Sequence, residues 1–107
     1  ANTATARDDR LDFQINTNPG SASLTATGTW TDVNTLDFTN PIKTNAAAGA
    51  LDGNSAANRT AVSATIGSLS IANGGVFCIR WNDFNASGAD DGLAVDDFSI
   101  TVAGAPN

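Results

Sequence analysis

The sequence predicts an all-β fold, an antiparallel β-sandwich or jelly roll. Several short segments alternate apolar and polar residues, and turn signals separate them. The 107 residues include no Glu and no Met and a single Lys, so residues that favour helices are scarce. Ser, Thr, Asn and Gly are abundant, which suits short strands and many turns.

The first half of the chain predicts two strands and a loop. Residues 10–16 form the first predicted strand, because apolar side chains occupy every second position from Leu11 onward. After a Pro-Gly turn, residues 23–33 are the predicted return strand, and a short apolar patch follows at 36–38. Residues 43–58 have no period and predict a surface loop.

The second half predicts a hairpin and a closing strand. Alternation over 59–71, the turn at Asn73-Gly74 and a strand over 76–81 fit a β-hairpin. Apolar groups on both faces of 76–81 predict that this strand is central in its sheet. A polar loop over 82–92 leads to a last strand over 93–102.

These elements predict one domain over residues 10–102. Residues 1–9 are polar and small, and we expect a flexible arm or a strand that pairs with a neighbouring chain. Residues 103–107 are expected to be a tail or the stub of a linker.

Composition excludes several classes of function. The formal charge is −6, which disfavours nucleic-acid and anionic membrane partners, and no apolar run is long enough for membrane insertion. The chain has no His and one Cys, so His-dependent catalysis, His-based metal sites and an intrachain disulfide are excluded. Only pairs of Asp remain as acid–base groups, so we expect no enzymatic activity and no catalytic residues.

The acidic segment that begins at Asp83 predicts a calcium site. Asp83, Asn85 and Ser87 place oxygen-bearing side chains at alternate positions, Gly88 permits a sharp turn, and Asp91 offers a further ligand. This order matches the front half of a loop that wraps a hard cation, so structural Ca²⁺ is the expected cofactor. The alternative is a solvated acidic turn whose side chains bond its own backbone.

The closing ligand of such a loop has to come from elsewhere. Ala94 stands where a calcium loop of this type has a bidentate Glu, so the sequence suggests Asp96 instead. Asp96 heads a row with Phe98 that is predicted to face the core, while Asp97 faces solvent. Capping of a neighbouring loop by Asp96 is the alternative to metal binding.

Two tryptophans are candidates for ligand binding. Trp30 and Trp81 could line a flat face that binds a polysaccharide, but so small a set of apolar residues needs most of its rings for the core. Arg80 is expected to pair with a nearby Asp, and Cys78 to be a small buried residue.

Several segments together resemble a known module. They are 7–15, 29–33 and 36–39 upstream, followed by 77–81, the loop 87–92 and the closing segment 93–101. This pattern resembles the C-terminal part of a jelly-roll accessory module in large secreted bacterial proteins, including extracellular nucleases with lamin-tail domains and anchored surface proteins. The ending is similar to the closing strand of MAM domains. That module extends further on its N-terminal side, so the resemblance implies a β-sandwich or jelly roll that is incomplete on its own.

The resemblance implies a non-catalytic role in a secreted or cell-surface protein, with structural calcium on Asp96 or Asp97. We therefore expect a module that stabilises, attaches or tethers its own parent polypeptide. One alternative is a subunit that assembles with copies of itself into an extracellular filament or layer by strand addition. A second alternative is a carbohydrate-binding module.

Overall fold

The computed structural model describes residues 8–20, 23, 25–43, 49–84 and 91–104. The described residues form one four-stranded antiparallel sheet, and their only helical elements are single 3₁₀ turns. The strands are β1 (Arg10–Asn16), β2 (Thr31–Asp32), β3 (Phe38–Thr39) and β4 (Cys78–Phe84), with 3₁₀ turns at Asn34–Leu36 and Ala56–Asn58. The all-β class is confirmed, and no described helix is long and apolar enough to span a membrane.

Strand β1 is the centre of the sheet. It pairs with β4 along its whole length, from Arg10 opposite Phe84 to Asn16 opposite Cys78. Strands β2 and β3 share the other edge of β1, because each pairs with a different end of it. The prediction that 76–81 is a central strand is wrong for the described residues, where β4 pairs with β1 alone.

A side chain bridges the gap between β2 and β3. The backbone leaves the edge of β1 at Val33, whose N–H donates to the Phe13 carbonyl at 3.1 Å, and turns through Asn34–Leu36. The Phe13 N–H donates to Oδ1 of the Asp37 carboxylate at 2.8 Å. The two short strands therefore act as one interrupted strand, with Asp37 completing the hydrogen bonds of β1.

The buried apolar core is small. Among the described residues, Phe13, Ile15 and Ala26 are its buried members. The Trp81 ring makes edge contacts with Phe13 at 5.3 Å and with Phe98 at 5.9 Å between ring centroids. The predicted strand over 10–16 is confirmed, and both of its ends are as predicted. The alternation of its sequence places large apolar side chains on one buried face.

The predicted strand over 59–71 is wrong, since none of these residues belongs to a strand. Ser68 has a positive φ of 59°, which interrupts an extended chain. The turn at Asn73-Gly74 does form, with Gly75 N–H donating to the Ala72 carbonyl at 2.8 Å. No ladder flanks this turn among the described residues, so the predicted hairpin is wrong as well.

The predicted closing strand over 93–102 is also wrong. Asp97 has a φ of 53°, so the alternation of faces cannot continue through it. The side chains of Phe98, Ile100 and Val102 are exposed, and Asp96 is exposed rather than facing a core.

Two strand boundaries differ from the prediction. Within the described part of 23–33, only Thr31–Asp32 is in a strand, because the remainder makes local hydrogen bonds such as Ala26 N–H to Ser23 carbonyl. Strand β4 continues to Phe84, into the segment predicted as a polar loop, because β1 supplies backbone partners as far as Arg10.

The molecule exposes more surface than its mass requires. Its accessible area is 7502 Å², whereas about 5,500 Å² is expected for a folded monomer of this mass. The radius of gyration is 16.6 Å, against about 13 Å for a compact chain of this length. Exposed large apolar side chains account for part of this surface: Leu51, Val62, Leu69, Val76, Val95, Phe98, Ile100 and Val102.

Candidate functional site

A buried polar pair lies where β1 begins. Asp9 and Asn40 are 1% and 3% exposed, respectively. The Asp9 N–H donates to Asn40 Oδ1 at 3.1 Å, and the Asn40 N–H donates to the Asp9 carbonyl at 3.0 Å. These bonds extend the contact between β1 and β3 by one residue beyond the pair Arg10–Thr39.

Asp91 joins this pair from the other end of the chain. Its backbone N–H donates to Asp9 Oδ2 at 2.8 Å, and Asn40 Nδ2 donates to Asp91 Oδ2 at 2.9 Å. Each of the three residues therefore bonds to the other two. We call Asp9, Asn40 and Asp91 the carboxylate cluster.

One oxygen of the cluster lacks a hydrogen bond. Asp9 Oδ1 is buried and has no hydrogen-bond partner in the described part of the chain, although Oδ2 of the same carboxylate accepts from Asp91. Burial of a carboxylate oxygen without a donor or a cation is costly, so this atom marks the position as unusual.

The cluster borders a groove of about 930 Å³. Asn40 and Asp91 are part of its wall, together with apolar side chains from the 49–62 and 91–96 segments. Asp91 is half-buried, so the groove connects the cluster to solvent.

The structure distributes the predicted calcium ligands over separate places. Asp91 belongs to the carboxylate cluster. Asp83 is exposed on β4, and Asp96 is exposed with its carboxylate accepting from the Asp97 N–H at 2.8 Å. Asp97 pairs with Arg59, with 3.0 Å between Oδ2 and the guanidinium Nη2. Asn85 and Ser87 lie outside the described residues.

Across residues 8–20, 23, 25–43, 49–84 and 91–104, no three acidic or Cys side chains lie close enough together to hold a metal ion. The carboxylate cluster supplies two carboxylates and one amide. Any metal bound there would complete its coordination with carbonyl or water oxygens, which calcium accepts readily.

The two tryptophans are held by protein contacts. The Arg80 guanidinium carbon lies 3.9 Å from the Trp30 ring centroid, and its Nε donates to Gln14 Oε1 at 2.7 Å. Trp30 Nε1 donates to the Ala26 carbonyl at 3.1 Å. Trp81 is half-buried between the two phenylalanine rings described above. A role for Trp30 and Trp81 in sugar binding stays a prediction.

Two neighbouring carboxylates, those of Asp37 and Asp32, act on the carboxyl group of Asp12. Partial burial, a hydrogen bond with Asp37 and the charges of Asp37 and Asp32 raise the pKa of Asp12, while Arg10 acts in the opposite direction. Asp12 and Asp37 are thus in direct contact. A glycosidase needs its two carboxyl groups about 5 Å or more apart, so this pair leaves no room for a sugar.

The sequence analysis missed Asp9 and Asn40. Asp9 falls in the predicted polar arm because the alternation begins at residue 10, and no pattern in the sequence singles out Asn40. The one available signal was an acidic residue next to the start of the most apolar strand, where burial is expected.

Comparison of the chain with protein-family models, with curated proteins and with solved structures gives no match.

Proposed function

We propose that the chain is a non-catalytic, extracellular β-sandwich or jelly-roll module that binds a structural calcium ion. It stabilises, attaches or tethers a larger secreted or cell-surface protein, and its principal contacts are with its own parent polypeptide. The observation that carries this proposal is the excess of exposed surface.

The excess is about 2,000 Å² over a monomer of this mass; if it were covered on this chain alone, the interface would total about 4,000 Å², which is the size of an obligate interface. The eight exposed large apolar residues contribute to it, and they lie in segments outside the sheet. Such residues favour a chain whose outer face is covered by neighbouring polypeptide. A second sheet packed there would complete a sandwich.

The absence of catalysis is supported by the chemistry of the acidic groups. The Asp12 and Asp37 side chains are in contact, and Asp37 also accepts a hydrogen bond from the Phe13 backbone N–H. The bond to Phe13 stabilises the sheet, and Asp12 and Asp37 are too close for the separation that glycoside hydrolysis requires.

A second candidate is self-assembly by strand addition. In the described part of the chain, β4 pairs with β1 on one edge, and its other edge has no strand beside it. An open edge of seven residues is a template for a strand of another copy.

Size-exclusion chromatography with light scattering, combined with small-angle X-ray scattering, tests the proposal. We expect a monomer at all concentrations, with a radius of gyration near 16.6 Å. Oligomers that grow with concentration would support strand addition instead. A monomer with a radius of gyration near 13 Å would show that the isolated chain is compact and has no excess surface for a partner to bury. That result would contradict both candidates.

A further inference from the structure

We propose that Asp9 and Asp91 together bind the calcium ion, at the point where Asn40 joins the start of β1 to the 91–96 segment. This inference rests on the proposed calcium binding and names its ligands. It differs from the site that the loop motif predicts, because Asp9 and Asn40 are not part of that motif.

The buried oxygen of Asp9 is the first argument. The carboxylate is 1% exposed, and Oδ1 has no hydrogen-bond donor among the described residues. A cation satisfies Oδ1 directly, without a hydrogen atom.

The second argument is the arrangement of the two residues. The Asp91 backbone N–H donates to Asp9 Oδ2, which leaves Oδ1 as the atom of Asp9 that has no hydrogen-bond donor among the described residues. Asn40 bonds to the Asp9 backbone and to the Asp91 carboxylate, so it fixes both residues in one position. Asn40 is therefore a positioning residue that preorganises the two ligands.

The chemistry of the donors favours calcium over magnesium. Carboxylate, amide and water oxygens are ligands of both ions, but magnesium requires a near-octahedral arrangement and keeps several of its waters. Calcium tolerates irregular coordination by two carboxylates at the end of a strand. The groove bordered by Asn40 and Asp91 supplies a path for the ion and for its remaining waters.

The test is a calcium titration of the full chain by isothermal calorimetry after removal of metal. We expect one ion per chain for the wild-type protein. Asp9→Asn keeps the shape of the side chain and an acceptor for the Asp91 N–H, so we expect it to fold and to bind calcium at least tenfold more weakly. Asp91→Asn is a second variant with the same expected effect.

Asp32→Asn is the matched control. It removes the same charge from an exposed residue of β2. Asp32 lies opposite Gln14, which is five positions from Asp9 along the chain, so the calcium Kd should change by no more than about twofold. Asp83→Asn tests the loop motif in the same way and should also leave binding intact.

The outcomes separate the inference from the proposed function. Binding retained in Asp9→Asn but lost in Asp83→Asn would overturn the inference and leave the calcium-binding module in place. No calcium binding by the wild-type protein would overturn both. Equal loss in Asp9→Asn and Asp32→Asn would show a general effect of charge and would overturn the inference alone.

Discussion

The backbone N–H of Asp91 donates to the Asp9 carboxylate at 2.8 Å, across 82 positions of sequence. This bond connects the beginning of the central strand to the 91–96 segment. Loops closed over so many residues are entropically costly, so the bond depends on the burial of Asp9 and on the support of Asn40. The carboxylate cluster therefore joins the two ends of the described fold.

Asn40→Ala should weaken this junction. The substitution removes the acceptor of the Asp9 N–H and the donor to Asp91, and leaves a buried N–H unpaired. We expect a loss of about 1–3 kcal/mol in the free energy of unfolding, measured by denaturant titration. Asn40→Asp retains the acceptor and adds a third carboxylate, so it should lose stability in a chelator and recover part of it in calcium. A fully stable Asn40→Ala variant would contradict the account.

Asp12→Asn should stabilise the protein at neutral pH. Burial and the neighbouring carboxylates raise the pKa of Asp12 in the folded state, so the folded protein binds a proton more strongly than the unfolded chain. The stabilising effect of that proton is complete below the ordinary value of 3.8 and is lost as the pH rises through the higher folded pKa.

The melting temperatures of wild-type and Asp12→Asn protein, compared from acidic to neutral pH, check this prediction. The advantage of the variant should shrink as the pH falls toward 3.8. A difference that is constant with pH, or a variant that is less stable at neutral pH, would show that the Arg10 attraction outweighs the repulsion.

Asp37→Ala should destabilise the sheet more than Asp37→Asn. Both variants remove the charge next to Asp12, but only the alanine leaves the Phe13 N–H without its side-chain acceptor. We expect a difference of about 1–3 kcal/mol between the two variants in denaturant titrations. Equal stabilities of the two variants would mean that the Phe13 N–H donates to water when Asp37 is absent.

Phe13→Ala and Phe98→Ala test which contact of Trp81 belongs to the core. Phe13 is 5% exposed and Phe98 is 54% exposed, although both rings make edge contacts with the same indole. The loss of Phe13 should cost about 3–5 kcal/mol in unfolding free energy. The loss of Phe98 should cost about 1 kcal/mol. Similar losses would show that the 93–102 segment is packed in solution.

Gly28→Ala should destabilise the protein by at least about 2 kcal/mol. Gly28 has a φ of +110°, and a Cβ there would lie 2.8 Å from the Asn18 carbonyl oxygen. Gly53→Ala is the control, because a Cβ at Gly53 meets no atom within 4 Å. Equal melting temperatures for the two variants would contradict the close approach between Gly28 and the Asn18 carbonyl oxygen.

The sequence predicted β1 because its large apolar side chains alternate without interruption between Leu11 and Ile15. The same reasoning failed for 59–71 and 93–102, where alternation is present but the backbone at Ser68 and Asp97 adopts positive φ. Alternation indicates which faces a strand would have, and it does not show that a partner strand exists to pair with it.

The carboxylate cluster was only partly predictable. Asp91 was identified from its place in the acidic segment, whereas Asp9 and Asn40 become significant only through contacts that span 31 and 82 positions. Residue type alone gives no sign that an Asp at the end of a polar arm is buried, because most Asp side chains are exposed.

Thermal unfolding in a chelator, in calcium and in magnesium tests the central claim most directly. An ion that binds only the folded protein, at about 100 times its Kd, should add about 2.7 kcal/mol and raise the melting temperature by more than about 5 °C. The account predicts this rise for calcium, a smaller one for magnesium, and its loss in Asp9→Asn. Identical melting temperatures in all three solutions would contradict a calcium ion at the carboxylate cluster.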